Sequence, residues 1–219
     1  MSERHHLQLI TDRRAAKGGL VTAVEAALAG GVGSVQVRDK GASASEIFAS
    51  VIEIARLVRA GDARLLVNDR VDVALAARAH GVHLAAKSLP PHAARALLEP
   101  WQLLGVSVHS VEEAVVAGRE GADYVTFGHV YPTWSHEGAP PRGADMLTAV
   151  VEAVDIPVLA IGGIDVTRVE EVLRTGCAGI AVISAILARD DPRRAAAELR
   201  AALDAVALPP KHGFPERRD

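Results

Sequence analysis

Eight short runs of aliphatic and β-branched residues alternate along this chain with eight longer stretches that have the spacing of amphipathic helices. A strand that is apolar on both faces and is followed by a helix is typical of a parallel sheet covered by helices. Eight such units within about 200 residues predict a single α/β domain, a (β/α)8 TIM barrel. A doubly wound open sheet is the alternative, because periodicity alone does not show that a sheet closes. The predicted strands are residues 7–11, 34–38, 64–68, 81–84, 103–107, 122–127, 157–161 and 179–183.

The stretches between the strands carry helix signals, and the last residues do not. The sequence from Ser110 to Glu113 is a capping box, in which side chains satisfy backbone N–H groups at a helix start. The barrel is expected to occupy residues 1–208. The segment 209–219 is rich in Pro and Gly and ends in charged residues, which predicts a mobile C-terminal tail. The predicted helices are residues 20–30, 44–60, 70–79, 91–98, 110–120, 143–154, 166–174 and 191–205.

Composition excludes several classes of function. The formal net charge is −3, which argues against nucleic acid as the main partner because such binding needs a basic face. No apolar run reaches the length of about 18 residues that a membrane-spanning helix needs. The N-terminus lacks the apolar segment of a signal peptide, and the single cysteine, Cys177, cannot form an internal disulfide. These features predict a cytoplasmic protein with a buried thiol at Cys177.

Polar residues cluster where the predicted strands end, which is where (β/α)8 barrels carry their active sites. Gln36, Arg38 and Lys40 alternate along the second strand and therefore point to one side, inward in a barrel. Three long polar side chains at that place need an anionic ligand or carboxylate partners. A solvated strand end with a pair between Arg38 and an aspartate is the alternative. Other polar residues at strand ends are Asn68, Asp69, Ser107, His109, His129, Thr133 and Ser184.

Gly162 and Gly163 follow the seventh predicted strand and precede a helix. Backbone N–H groups at such a turn hold a phosphate well. Ile183 and Ser184 follow the eighth strand, the usual second half of a barrel phosphate site. The alternative is a tight turn in which Asp165 only caps the helix. The pairing of the two segments predicts a phosphate site.

His129 stands out among the nine histidines. It follows the buried run 124–128 and enters the long loop 129–143, which also holds His136, whereas the other seven lie at termini, on helix surfaces or at strand ends. An imidazole with its ordinary pKa of about 6.5 can take and return a proton near neutral pH. Asp69 is compatible with a metal, a helix cap or a pair with Arg70 or Arg38, and the sequence does not decide among these. No spacing typical of a metal-binding cluster is evident, so neither a metal nor another cofactor is expected.

Nine segments, read in order and with their spacing, resemble the thiamin phosphate synthase/TenI superfamily. The resemblance covers nearly the whole chain and independently implies the barrel. It also implies a small phosphorylated thiazole as ligand and, because barrels of this family usually associate, a homo-oligomer. The segments that carry it are residues 9–12, 36–40, 66–72, 81–84, 105–110, 121–124, 127–133, 160–164 and 181–184.

The synthase branch of the superfamily matches one part of the site and differs in another. In that branch the residues at Gln36, Arg38, Lys40, Asn68 and Asp69 hold pyrophosphate and Mg²⁺. The same branch has a second magnesium aspartate after the fourth strand, whereas this chain has Ser88 preceded by Lys87. It also has proline at the position of His129 and a pyrophosphate-binding lysine at the position of His136.

The TenI branch, the thiazole tautomerases, is similar to this chain at residues 83–85, 128–131 and 140–143. That likeness implies an isomerase that aromatises a thiazole carboxylate phosphate tautomer by moving a proton from the ring to an exocyclic carbon. The sequence-based prediction is therefore a thiazole tautomerase with His129 as its acid and base. The role of His136, which differs from both branches, is left open. The predicted substrate-binding residues are Arg38, Lys40, Asn68, Ser107, Gly162, Gly163, Ile183 and Ser184.

Two other functions compete with the tautomerase. A thiamin phosphate synthase is favoured by Lys40, Asn68 and Asp69 and opposed by Ser88 and by the histidines at 129 and 136. A non-catalytic regulatory or ligand-binding protein that kept the barrel and its phosphate site is the second alternative. Such a protein would bind thiazole phosphate without changing it.

Overall fold

A computed structural model describes residues 4–59, 61–133 and 138–216. In this part of the chain eight parallel strands pair in chain order, and the eighth pairs with the first. The closed sheet confirms the predicted (β/α)8 barrel and excludes the open sheet. The strands are β1 (His6–Ile10), β2 (Ser34–Val37), β3 (Arg64–Asn68), β4 (Gly81–Leu84), β5 (Leu103–Val108), β6 (Tyr124–Gly128), β7 (Val158–Ile161) and β8 (Gly179–Val182).

Helices follow the strands at the predicted places, with differences at their ends. The third and fourth end earlier than predicted, because turns rather than helix continue the chain there. A single helical turn at Ser184–Leu187, which was not predicted, follows β8 directly. No helix in the described ranges is long and apolar enough to cross a membrane. The helices are α1 (Leu20–Ala29), α2 (Ala44–Arg59), α3 (Val71–Ala76), α4 (Pro91–Arg95), α5 (Val111–Arg119), α6 (Gly143–Ala153), α7 (Val169–Leu173), α8 (Ser184–Leu187) and α9 (Pro192–Ala205), with a 3₁₀ turn at Val166–Arg168 before α7.

The alternation of side chains along each strand separates two cores. Outward-facing residues such as Leu9 and Val35 are fully buried between the sheet and the helices. Inside the barrel, the end at which the strands begin is filled by a smaller apolar cluster. Polar side chains, Gln8 and Gln36 among them, lie buried further along the strands. The interior cluster consists of Leu66, Leu103, Tyr124, Leu159, Ala178 and Phe214.

Phe214 closes the barrel at the end where the strands begin. It is 2% exposed, and its ring stacks on that of His6 with centroids 3.8 Å apart and planes inclined by 8°. The edge of the ring meets Tyr124 at 4.9 Å, and the guanidinium of Arg64 lies 5.3 Å from its centroid. Residues up to 216 of the C-terminal segment are described, and the mobility expected for 209–219 stays a prediction.

The environment of Cys177 agrees with the prediction of a buried thiol. The residue is fully buried, and its Sγ lies 3.4 Å from the carbonyl oxygen of Val172. Burial raises the pKa of the thiol to about 11, so the thiolate is scarce near neutral pH. Cys177 is therefore a packing residue rather than a nucleophile.

Candidate active site

A cavity of about 920 Å³ opens at the end of the barrel where the strands terminate. This volume lies in the range of about 300–1,000 Å³ that is usual for small-molecule sites. The structure brings all nine predicted site residues to this cavity, and the role of each stays a prediction. They are Arg38, Lys40, Asn68, Ser107, His129, Gly162, Gly163, Ile183 and Ser184.

Gly162 and Gly163 allow two loops to pass very close to each other. Both have positive φ, 100° and 66°. A Cβ on Gly162 would lie 2.3 Å from Cβ of His129, and Tyr131 N donates to the carbonyl oxygen of Gly162 at 3.0 Å. The carboxylate of Asp165 accepts from Thr167 N at 2.9 Å. The tight turn and the cap that were the alternative are thus both present, and the two glycines border the cavity as well.

Arg168 holds this turn against the loop after β6. Its guanidinium lies 4.5 Å from the ring centroid of Tyr131 and donates to the carbonyl oxygen of Gly163. Burial raises the pKa of the Tyr131 phenol to about 12, with Glu171 acting in the same direction. The phenol is therefore neutral, and the Arg168 contacts fix the shape of the wall formed by the two glycines.

The imidazole of His129 takes part in closing the loop after β6. The residue is 5% exposed, and its Nε2 lies 3.2 Å from the carbonyl oxygen of Ala139. Because a carbonyl only accepts, Nε2 carries the hydrogen of this bond. Arg142 adds two bonds, from N to the carbonyl oxygen of His129 at 3.0 Å and from Nε to that of Gly128 at 3.1 Å. His136 lies outside the described residues.

Three cationic side chains, Arg38, Lys40 and Lys87, border the cavity at the ends of β2 and β4. Arg38 lies 3.5 Å from Asp12, so the pair proposed as an alternative exists, with Asp12 as its carboxylate. The positive charge of Arg38 lowers the pKa of Lys40, and burial and the charges of Arg14 and Lys87 add to the shift. Lys40 and Lys87 form no ion pair with the described residues. On this side of the cavity, therefore, Arg38 is paired, and Lys40 and Lys87 are the cations without an ion-pair partner among the described residues.

Asp69 adopts a positive φ of 61° after β3, and donors surround its carboxylate. Oδ2 accepts from Asn68 Nδ2 at 2.6 Å, and Oδ1 accepts from Ala85 N at 2.8 Å and from the hydroxyl of Ser88. Arg70 pairs with Asp72 instead. Within the described ranges no group of three or more His, Cys, Asp or Glu residues could hold a metal ion. Asp69 thus joins the ends of β3 and β4, a partnership that the sequence did not indicate.

A chain of buried amides leads from the interior of the barrel to Asp69. Gln8 Nε2 donates to Gln36 Oε1 at 2.8 Å, and Gln36 Nε2 donates to Asn68 Oδ1 at 2.7 Å. Gln8 is fully buried and does not border the cavity. Gln8 is a site residue that was not predicted, although a glutamine within an otherwise apolar strand is a recognisable signal of a buried polar contact.

His83 is 1% exposed beside the cavity, and its polar atoms are all paired. Its Nδ1 lies 3.0 Å from the hydroxyl of Tyr124, and its Nε2 lies 2.9 Å from Ser107 Oγ and 3.2 Å from Thr126 Oγ1. Burial lowers the pKa of His83 to about 4, so the ring is neutral near pH 7. This neutral imidazole fixes the orientation of Ser107 at the cavity wall.

Fold and site together define a (β/α)8-barrel protein whose cavity has the turn of Gly162 and Gly163 on one side and a group of cations on the other. The chain belongs to the TMP-TENI family, described as thiamine monophosphate synthase, whose sequence pattern it matches over residues 7–186. Membership confirms the superfamily to which the sequence motifs pointed.

The names of similar proteins favour the synthase branch. A putative thiamine-phosphate synthase of Geobacter sulfurreducens is 48% identical over 199 residues, 90% of this chain and 93% of its own. The thiamine-phosphate synthase of Pyrococcus furiosus is 43% identical and covers 94% of this chain and 99% of its own. A solved structure named thiamine phosphate pyrophosphorylase, also from Pyrococcus furiosus, superposes with a TM-score of 0.85 at 42% identity, covering 93% of this chain and 97% of its own.

The predictions of a thiazole tautomerase and of an isomerase are therefore wrong. Relatives that span nearly the whole chain are named synthases, which are transferases. The prediction relied on short motifs shared with the TenI branch. Similarity along the entire chain is the stronger indication and favours the synthases.

Proposed function

We propose that this protein is a thiamine-phosphate synthase, which joins a pyrimidine pyrophosphate to a thiazole phosphate and releases pyrophosphate. The observation that supports this most is that one cavity is bordered by two regions suited to anions, a glycine turn and a group of cations. Gly162 follows β7 and Asp69, with its neighbouring cations, follows β3, so the regions face each other across an eight-stranded barrel. A synthase that holds two phosphorylated substrates at once needs both regions.

Each region suits one of the two substrates. The thiazole phosphate would lie at Gly162, Gly163 and Ser184, where backbone N–H groups and a hydroxyl can donate to its oxygens. The pyrophosphate would lie at Arg38 and Lys40, because charge-assisted hydrogen bonds are the strongest that a protein offers an anion. The reacting atoms would then meet between the two anchors, above the amides that lead down to Gln8.

The coupling reaction needs little acid–base help from the protein. The thiazole nitrogen attacks the methylene carbon of the pyrimidine with its lone pair, a C–N bond forms, and the C–O bond to pyrophosphate breaks. The attacking nitrogen carries no proton, and the leaving group departs as an anion. The protein contributes placement of the two substrates and stabilisation of the charge that develops on the pyrophosphate, here by Arg38 and Lys40. A histidine base is therefore not required for this step.

The family resemblance implies Mg²⁺, but the donor set does not fit a magnesium ion held by the protein alone. Mg²⁺ is usually bound through one or two carboxylates together with substrate phosphates. Here Asp69 already accepts three hydrogen bonds, and Ser88 offers a hydroxyl rather than a second carboxylate. Lys87 adds positive charge to the same wall. No step of the proposed reaction is therefore assigned to a metal held by these residues.

The decisive experiment mixes the purified protein with pyrimidine pyrophosphate and thiazole phosphate and measures both products. Thiamin phosphate and pyrophosphate are expected in equal amounts, and neither when one substrate is omitted. Ser184→Ala is expected to raise KM mainly for the thiazole phosphate, and Arg38→Gln mainly for the pyrimidine pyrophosphate. The proposal fails if both substrates bind but no thiamin phosphate forms. It also fails if the two variants affect the same substrate.

Two further predictions accompany the proposed function. The single buried cysteine agrees with a cytoplasmic location, which cell fractionation tests directly. A homo-oligomer is expected from the family resemblance, and light scattering after size-exclusion chromatography measures its mass.

A further inference from the structure

The charge around the cavity is unbalanced among the described residues. Four cationic side chains border it, whereas only two carboxylates do, those of Asp69 and Asp165. Both carboxylates are engaged by neighbouring donors, Asp165 by the backbone and hydroxyl of Thr167 and Asp69 by the residues described above. Arg38 pairs with Asp12, whereas Lys40, Lys87 and Arg189 form no ion pair with the described residues, and a bound polyanion would attract all three. The four cations are Arg38, Lys40, Lys87 and Arg189.

Lys87 lies in the turn that contacts Asp69. Two residues before Lys87, the N–H of Ala85 donates to Asp69 Oδ1 at 2.8 Å. The residue after Lys87 is Ser88, whose hydroxyl donates to the same oxygen. This turn fixes the Lys87 backbone beside the carboxylate, and the charge of Lys87 already acts on Lys40. A flexible lysine held at its base can place its ammonium group on an anion that lies between the ends of β2 and β4.

We propose that Lys87, acting with Lys40, supplies the positive charge that a Mg²⁺ ion held by a second carboxylate would otherwise supply. The protein therefore binds pyrophosphate without Mg²⁺. This inference rests on the proposed function, since it concerns the pyrophosphate half of the same site. Lys87 is then a binding residue. The species bound by the cations of the cavity is pyrophosphate itself, rather than its magnesium complex.

Calorimetric titration with inorganic pyrophosphate, in EDTA and again in excess Mg²⁺, tests the proposal on the full chain. The unmodified protein is expected to bind in EDTA, with little gain from Mg²⁺. Lys87→Gln is expected to weaken binding in EDTA by about 10-fold or more, the effect of losing a charge-assisted hydrogen bond. Arg59→Gln is the matched control. It removes the same charge from the last residue of α2, at the opposite end of the barrel from the cavity, and should leave binding unchanged.

Ser88→Asp provides the complementary variant. Its carboxylate would stand beside that of Asp69, because the present hydroxyl already contacts Asp69 Oδ1. Pyrophosphate binding in EDTA should weaken, and Mg²⁺ should restore it, which makes the variant magnesium-dependent where the parent is not. Thermal unfolding of both variants verifies that they are folded.

The results separate this inference from the proposed function. The inference is overturned if the unmodified protein needs Mg²⁺ for pyrophosphate binding as strictly as Ser88→Asp does, or if Lys87→Gln binds as tightly as its parent. Magnesium-free pyrophosphate binding without formation of thiamin phosphate would remove the synthase and keep the anion site. Formation of thiamin phosphate with strictly magnesium-dependent pyrophosphate binding would keep the synthase and remove the inference.

Discussion

The side-chain amide of Gln8 donates a hydrogen bond to Oε1 of Gln36 at 2.8 Å, inside the barrel and below the cavity. Gln36 donates onward to Asn68, and Asn68 to Asp69. Each amide therefore determines which way the next one faces. Gln8, which does not border the cavity, thus influences the orientation of three residues that do: Gln36, Asn68 and Asp69.

Replacing Gln8 by leucine should impair the enzyme without touching the substrates. The change leaves Gln36 Oε1 buried and without its donor, which costs about 1–3 kcal/mol of stability. Freed of that bond, the Gln36 amide can rotate, and turnover should fall by about 10-fold as Asn68 and Asp69 lose their alignment. The measurements are steady-state kinetics and urea unfolding. Leu9→Ala, a buried neighbour on the opposite face of β1, controls for stability loss, and an equal loss of turnover in both variants would contradict this view.

Gly162→Ala should be far more damaging than an alanine at another glycine of similar conformation. Gly162 and Gly19 have φ of 100° and 104°, but a Cβ would clash with His129 only at Gly162 and would meet nothing within 4 Å at Gly19. Positive φ costs alanine about 1–2 kcal/mol at either site. The clash should add about 1–3 kcal/mol at Gly162 and displace the loop after β6. Thermal unfolding and KM for thiazole phosphate measure both effects, and similar values for the two variants would refute the close-approach argument.

Two substitutions of His129 distinguish a loop-fixing side chain from an acid–base catalyst. Glutamine can still donate to the Ala139 carbonyl but cannot shuttle a proton, whereas alanine can do neither. We expect His129→Gln to keep most of the turnover and His129→Ala to raise KM for thiazole phosphate and lower the melting temperature. A loss of about 10²–10⁴-fold in kcat for folded His129→Gln would instead identify a general acid or base.

The buried imidazole of His83 should make stability depend on pH. Its folded-state pKa is about 4, below the ordinary value of about 6.5 expected in the unfolded chain. As pH falls from about 6.5 toward 4, only the unfolded state gains the proton, so the free energy of unfolding falls by up to about 1.4 kcal/mol per pH unit and levels off below that range. Urea unfolding of the parent and of His83→Gln across this range provides the comparison. If the free energy of unfolding of His83→Gln falls as steeply with pH as that of the parent, His83 is excluded as the cause.

Phe214→Ala tests whether the C-terminal segment belongs to the core. The ring is 2% exposed and stacked on His6, so its truncation to alanine should lower the free energy of unfolding by about 3–5 kcal/mol. A tail that is detached in solution, as its composition predicts, would lose almost nothing. Leu208→Ala, at a residue that is 48% exposed, should change stability by no more than about 0.5 kcal/mol and serves as the control.

The barrel and the location of its site could be predicted because both depend on local patterns. Apolar runs such as 64–68 and 81–84 have the length and bounding residues of buried strands, and the structure assigns the same residues to β3 and β4. Once the barrel is assumed, polar residues after strands must converge at one end, which is why Arg38 and Gly162 could be placed together in advance.

What could not be predicted depends on contacts between distant residues. Ser88 meets Asp69 across 19 positions, and Phe214 meets His6 across the whole length of the chain, although the Pro and Gly residues near Phe214 suggest only a loose end. The identity of His129 likewise indicates an ionisable ring but not that its Nε2 faces Ala139. The residue type determines which interactions a side chain can make, and the fold determines which residue it contacts.

Because the aromatic ring that covers the barrel end where the strands begin is supplied by residue 214 and rests on a histidine of β1, that end stays open during synthesis until residue 214 has been made. A nascent chain released before that residue would expose a ring of leucines and a tyrosine to water. Fragments that end before this residue should therefore be prone to aggregation and bind chaperones, and they should not form active enzyme.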